Sequence, residues 1–265
     1  MAFREANLEH LAKFNSSGSM YLLDAYNKQL DDDISGRASM PSHKTFAPSA
    51  LRCKRRSWFR LRGTQPDKPR STDRILEFTA DVGTACHSMV QERLIRALKS
   101  SDQFEWIDVV GYLRSEGFFD RHDIRTLRNG YETQVEFKNP PVRFAVDGLL
   151  RYDDEYCLFE IKTSEYSVWN DLTDPKEEHI DQFKAYCTLL ELNRGFFFYV
   201  DRQYGGIKCF ELNVSLQDQE EIRTMFTEVQ QYAEFGIAPD PLPTGDKWCT
   251  PNFCPYYEKC KQFGR

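Results

Sequence analysis

The sequence has no run of eighteen or more apolar residues, so no segment reads as a membrane-spanning helix. Its first residues carry charges throughout, without the apolar stretch of a secretory signal, and the chain is therefore expected to be intracellular and cytoplasmic. There is no internal repeat. Positive charge is also in deficit: 35 Lys and Arg face 41 Asp and Glu, a net charge of −6 that argues against a uniformly basic nucleic-acid surface. Disulfides are not expected either, because eight unevenly spaced cysteines in an intracellular chain do not make a disulfide framework.

What is present is a chain of 265 residues that is 40% hydrophobic and 14% aromatic, enough for one full core or one core with an appended lobe. Its basic residues are unevenly distributed. Positions 52–74 hold nine Lys or Arg residues against only Asp67 and Asp73, so an acidic chain can still present a local basic surface. Taken alone, that stretch reads as ordinary solvated surface.

The first 47 residues read as a lead-in, with short helical pieces at 8–14 and 20–30 and a polar loop at 31–44. Residues 48–265 form the expected main domain. Apolar spacing predicts a helix over 84–98, with Met89, Val90, Leu94, Ile95 and Leu98 on one face and His87 in its first turn. Residues 104–129 read as helical or irregular. Strands follow at 131–137, 142–152 and 156–162, broken by Asn139-Pro140-Pro141 and by the acidic turn Asp153-Asp154-Glu155. Asp174-Pro175 is expected to open a helix that buries Ile180, Phe183, Cys187 and Leu190. Strands at 196–200 and 207–214 flank Gly205-Gly206. Ser215 caps a final helix to about Phe235, with Ile222, Met225, Val229 and Tyr232 inward. The order is α/β with a mixed central sheet flanked by helices.

Chemistry concentrates in two strands. Asp147 lies in Val146-Asp147-Gly148, and Glu160 and Lys162 lie in Glu160-Ile161-Lys162-Thr163. Residues two apart project from the same face of a strand, and a hairpin would bring Asp147 beside them. Two carboxylates and an ammonium among apolar neighbours suit a hard divalent cation, Mg²⁺ or Mn²⁺. A lone E-x-K is more often a structural ion pair or a strand-edge feature. His87, alone, is more often a cap or core residue than a ligand, and Glu136 a solvent-facing strand residue than an extra acid. Gln182 and Tyr186, four apart on a helix, read alone as a polar flank.

In this order, Gly83-Thr84-Ala85-Cys86-His87, Val146-Asp147-Gly148, Glu160-Ile161-Lys162-Thr163 and Gln182-Phe183-Lys184-Ala185-Tyr186 resemble the RecB-like nuclease family of the PD-(D/E)xK superfamily. The resemblance implies a restriction-endonuclease-like core. It implies a metal site of His87, Asp147, Glu160 and the Ile161 carbonyl, with Lys162 as catalytic lysine and Gln182 and Tyr186 as substrate contacts.

Cys86, Cys157, Cys187 and Cys209 sit in periodic apolar segments and read as core residues. Cys53, Cys249, Cys254 and Cys260 sit in polar or turn-rich surroundings, three of them in a tail rich in proline that lacks periodicity. Thiolates bind soft metals, either zinc or an iron–sulfur cluster. The layout is similar to the iron–sulfur branch of the same family, represented by CRISPR-associated and AddB-type exonucleases. That implies a structural [4Fe–4S] cluster joining 48–62 to 240–265. The four-residue gap between Cys249 and Cys254 leaves zinc open. The cluster would fix Lys54, Arg55, Arg56, Arg60 and Arg62 as a DNA-guiding surface.

The expected function is a Mg²⁺- or Mn²⁺-dependent exonuclease on single-stranded or end-bearing DNA, in a phage- or CRISPR-related setting, with recombination or replication proteins as further partners. A structure-specific endonuclease and a catalytically silent DNA-binding adaptor are the alternatives.

Overall fold

The structure, a computed structural model, describes residues 17–38, 44–67, 74–243, 245–251 and 253–263. Two compact units are present, Met1–Pro41 with Lys68–Thr79, and Ser42–Asp67 with Ala80–Arg265. No helix among the described residues is long and apolar enough to cross a membrane. All eight cysteines are free.

In the first unit, helix α1 (Ser17–Ala38) covers 31–38 of the segment expected to be loop at 31–44, of which 39–43 lie outside the described residues. Its acidic turn is stabilised locally. Gln29 Nε2 donates to Asp33 Oδ1 at 2.9 Å, and the Arg74 guanidinium donates two hydrogen bonds to the Asp31 carboxylate. The expected helical piece at 8–14 lies outside the described residues.

The second unit begins with a short 3₁₀ turn, Pro48–Ala50, and helix α2 (Lys54–Leu61). Helix α3 (Arg74–Leu98) starts ten residues before the expected position, so His87 lies well inside it rather than in its first turn. The region expected to be irregular contains strand β1 (Phe104–Ile107), helices α4 (Val109–Ser115) and α5 (Phe118–Arg121) and strand β2 (Ile124–Asn129). Strands β3 (Glu132–Lys138), β4 (Pro141–Val146), β5 (Gly148–Tyr152) and β6 (Glu155–Ser164) follow. Helix α6 (Tyr166–Asn170) precedes α7 (Glu177–Leu190), which starts at Glu177, two residues after Pro175. Strands β7 (Arg194–Asp201) and β8 (Ile207–Asn213), helix α8 (Leu216–Phe235) and a short α9 (Tyr257–Gln262) complete it.

Two sheets result. The larger runs β1-β5-β6-β7-β8, and the smaller β2-β3-β4. Every pairing is antiparallel except β6 with β7, so the central sheet is mixed. The parallel pair needs a crossover, which α6 and α7 provide. The stretch read as one strand at 142–152 is in fact two. β4 pairs with β3 in the small sheet, β5 pairs with β6 in the large one, and Asp147 sits at the crossing.

Alternation along β6 divides the core. Phe159 and Ile161 pack with Leu150, Phe196 and Val200 against Val90, Leu94 and Leu98 of α3. Leu158, Phe197 and Tyr199 face the other way, toward Phe183, Tyr186 and Leu190 of α7. Helices therefore flank both faces, as a period-two strand buried on both sides requires. Met89 is exposed, contrary to its expected place on the buried stripe of α3. Cys209 is exposed as well, because β8 is an edge strand with one face open.

Helix α8 is capped as its sequence predicts. Ser215 and Asp218 form a reciprocal capping box, and Lys184 of α7 pairs with Asp218. These partners hold the Asp218 carboxyl down at about 2. Phe226 and Val229 are buried, whereas Tyr232, expected inward, is partly exposed.

The tail is held without an apolar core of its own. Pro255 O accepts from the Asp67 N–H at 2.7 Å, and the Asp67 carboxylate accepts from the N–H groups of Glu258 (2.6 Å) and Lys259 (3.2 Å) and from Lys259 Nζ (3.1 Å). Arg55 Nε donates to Pro239 O at 2.6 Å. Phe59 stacks on Tyr256, their ring centroids 5.2 Å apart.

Candidate active site

The site forms where the chain leaves the small sheet. Asp147 Oδ2 accepts the Ile161 N–H at 2.7 Å, which locks it against β6. Its Oδ1 lies 3.1 Å from His87 Nδ1, and its backbone carbonyl accepts from Gln91 Nε2 at 2.7 Å. Gln91 is buried and stands one helical turn beyond His87, so α3 contacts Asp147 at two points. The residue after Asp147 must be glycine. A Cβ at Gly148 would lie 2.3 Å from the Trp106 ring of β1, so Trp106 requires bare backbone there.

Glu160 and Lys162 project from β6 toward α7. Lys162 Nζ donates to Glu160 Oε2 at 3.0 Å and to Gln182 Oε1 at 3.2 Å. Gln182 Nε2 in turn donates to the Tyr186 hydroxyl at 2.7 Å. Glu160 is only 2% exposed, and its Oε1 has no hydrogen-bond partner in the protein. Burial pushes the Glu160 carboxyl well above its ordinary value; Lys162 pulls the other way, and Asp147 adds to the rise. Burial opposes the Lys162 charge too, but the carboxylates of Glu160 and Asp147 outweigh it and raise its pKa. For His87 the same balance, with Asp147 and Glu132 as partners, gives about 9.

Glu132 was not among the expected residues. Its Oε1 lies 3.6 Å from His87 Nδ1. Ligand atoms of His87, Glu132 and Asp147 lie within 4.8 Å of one another, and among the described residues no other set of three His, Cys, Asp or Glu side chains does. The signal was available in the register. A two-residue turn at 139–140 pairs Lys138 with Pro141 and Thr133 with Val146, so the residue opposite 147 is 132. Glu136, the acid considered from sequence, instead pairs in register with Arg125 and Arg143.

His87, Asp147, Glu160 and Lys162 are thus brought together. Ile161 enters through its N–H. Gln182 bonds protein partners at both ends of its amide, which makes it a positioning group for Lys162. Tyr186 is 4% exposed and packs against Phe144, and its hydroxyl accepts from Gln182 Nε2.

The basic run is placed differently from expectation. Arg55 is buried, and its Nη1 donates to Cys260 Sγ at 3.7 Å, so it faces the tail and not a DNA strand. Lys54 pairs with Glu228, Arg60 Nε donates to Thr45 O at 2.8 Å, and Arg62 Nη1 donates to Ala233 O at 3.1 Å. Arg56 lines a cavity together with Cys53, Cys249 and Cys254. Cys53 caps α2 by accepting the Arg56 N–H, and burial raises the Cys254 thiol pKa.

No protein-family model matches the chain, and no curated protein matches it. Among solved structures it is similar to the crystal structure of SSO0001, at 15% identity over 89% of this chain and 96% of that one, with a TM-score of 0.42. It is also similar to an alkaline exonuclease (LHK-Exo) from Laribacter hongkongensis, at 13% identity over 74% of this chain and 90% of that one, with a TM-score of 0.39.

Proposed function

We propose that the chain is a divalent-cation-dependent deoxyribonuclease acting as an exonuclease on single-stranded or end-bearing DNA. One observation carries this reading: a buried carboxylate oxygen, Glu160 Oε1, has no protein partner in a pocket that already holds Asp147. A structural ion pair with Lys162 accounts for one Glu160 oxygen and leaves the other orphaned. Burying a second acid nearby makes the arrangement worse unless a cation completes it.

The donor set fits Mg²⁺ or Mn²⁺, with carboxylates of Asp147, Glu160 and Glu132, the Ile161 carbonyl and an imidazole from His87. Such an ion, when bound, polarises a phosphodiester and lowers the pKa of water. Lys162 then orients the attacking water and offsets negative charge developing on phosphate. Gln182 holds the Lys162 ammonium in line, and Tyr186 holds Gln182. Gln91 and the Ile161 N–H fix Asp147.

We further propose that Cys53, Cys249, Cys254 and Cys260 hold a [4Fe–4S] cluster, with zinc as the alternative. Three of these thiols line one cavity, and Arg55 donates to the fourth. Brown protein absorbing near ~400 nm supports the cluster, and a colourless protein with stoichiometric zinc rejects it.

Cleavage assays with Mn²⁺ on linear and circular single strands test the activity. Degradation of the linear strand alone is expected. Cutting of the circle selects the endonuclease reading, and no cleavage of either selects the silent adaptor.

A further inference from the structure

Just past the strand that carries Glu160 and Lys162, the chain builds an aromatic surface that packs on the core through Trp169 and that the candidate active site does not use. Strand β6 ends at Ser164, and Tyr166 and Trp169 follow in α6. The turn between β7 and β8 brings Tyr204 alongside. Tyr166 lies 5.0 Å from Tyr204, edge to face, and 6.1 Å from Trp169, stacked. Tyr166 is 40% exposed and Tyr204 78%, and Val168 and Ile207 beside them are exposed too.

Single exposed aromatics need no explanation, but these are held in place. The buried Asp201 carboxylate accepts the N–H groups of Gln203 (2.9 Å) and Tyr204 (3.0 Å) and so shapes the turn. The Arg202 N–H donates to Ser164 O at 3.0 Å, and the Tyr166 N–H donates to Gln203 Oε1 at 3.2 Å, which ties the turn to the end of β6. Beneath Tyr166, Trp169 Nε1 donates to Tyr199 O at 2.9 Å. Its ring lies against Gly206, where a Cβ would come within 2.7 Å. Lys208 sits over that ring at 4.7 Å and donates to the carbonyls of Trp169, Asn170 and Leu172. The backbone and the Trp169 base are fixed, and the tyrosine rings stand open.

We propose that Tyr166 and Tyr204 form a stacking platform for unpaired bases of single-stranded DNA beside the cleavage site. The identity of the occupant rests on the nuclease reading above. Four residues of chain place Tyr166 at most about 14 Å from Lys162, a separation that a few nucleotides of unpaired strand can span. Rings with one polar hydroxyl and an open π face suit bases of any sequence, which a processive cut requires. Cations contribute little here. Lys208 is committed to carbonyls, and Arg202 lies 3.9 Å from Glu165. The platform therefore adds affinity through stacking and not through phosphate neutralisation.

The test is the affinity of full-length protein for a labelled single-stranded oligonucleotide in EDTA, by fluorescence anisotropy across a salt series. Tyr166→Ala with Tyr204→Ala should raise the Kd about tenfold or more and leave the slope against salt unchanged. Tyr166→Phe with Tyr204→Phe should bind like wild type, since the rings remain. Affinity for a blunt duplex should be the same in all three proteins. Equal single-strand affinity in the double-alanine variant and wild type overturns the platform, as does an equal loss on duplex. If wild-type protein cleaves DNA while the double-alanine variant binds single strands unimpaired, only the platform fails. If wild type neither binds nor cleaves single strands, both the platform and the nuclease reading fail.

Discussion

Two acidic residues of this chain have opposite surroundings. Asp67 accepts three hydrogen bonds on its carboxylate, from Glu258 N–H and from Lys259 at two points, and Arg55, a second tie to the tail, bonds Pro239 and Cys260. Glu160 is more deeply buried and has one partnered oxygen and one bare one. Buried charge that the protein satisfies itself serves to hold structure. Buried charge left unsatisfied marks a place where something else binds. Sequence alone assigned a metal to both regions. The tail has a protein clip of its own in Asp67 and Arg55, whereas beside Asp147 one Glu160 oxygen is left without a protein partner.

The largest expected effect falls on the unsatisfied side. Glu160→Ala or Lys162→Ala should lower Mn²⁺-dependent cleavage by about 10³-fold or more, with far-UV circular dichroism unchanged. Wild-type rates in either variant would remove the distinction between the two regions. On the satisfied side, Asp67→Ala should leave cleavage chemistry in place and reduce stability by about 2–4 kcal/mol in denaturant unfolding. Hydrogen exchange at the Lys259 amide, which donates to Asp67, should speed up in that variant. An unchanged exchange rate there would show that a metal, and not Asp67, secures the tail.

Smaller effects sharpen the contrast. Gly148→Ala places a Cβ 2.3 Å from Trp106, and overpacking of that kind costs about 1–3 kcal/mol. Because Gly148 adjoins Asp147, Mn²⁺ affinity should fall along with stability, by calorimetric titration. A stability loss at normal affinity would mean that the crossing tolerates movement. Smallest of all is Asp218, whose carboxyl is held at about 2, below its ordinary 3.8. The folded state therefore binds fewer protons than the unfolded one between these values. That contribution is complete above about pH 4 and disappears as pH falls toward 2. Asp218→Ala should cost about 1–2 kcal/mol at pH 7 and less as pH falls through 2. A pH-independent difference would show that the cap works through packing alone.

Much of this was legible in the sequence, for local reasons. Glu160 and Lys162 share a face because strands alternate, Ser215 caps because Asp218 follows three residues on, and Phe183, Cys187 and Leu190 form a helical stripe. The rest depended on distant pairing. Residues 142–152 read as one apolar-rich strand, and only the pairing of β4 with β3 and β5 with β6 splits them at Asp147. Glu132 required the hairpin register. Arg55 belongs to a charged run that reads as solvated, and its partners lie far along the chain at Pro239 and Cys260. The buried position of Tyr186 follows from Phe144 and Gln182 closing over it, which spacing on α7 alone could not reveal.

The central claim is that a single divalent cation is shared by acids from β6 and from the crossing between sheets. Anomalous diffraction from crystals soaked in Mn²⁺ tests it most directly. The account predicts one strong peak within bonding distance of Asp147 and Glu160, reached also by His87 or Glu132. A soaked crystal that diffracts well with no peak there, or with manganese bound only elsewhere, contradicts it.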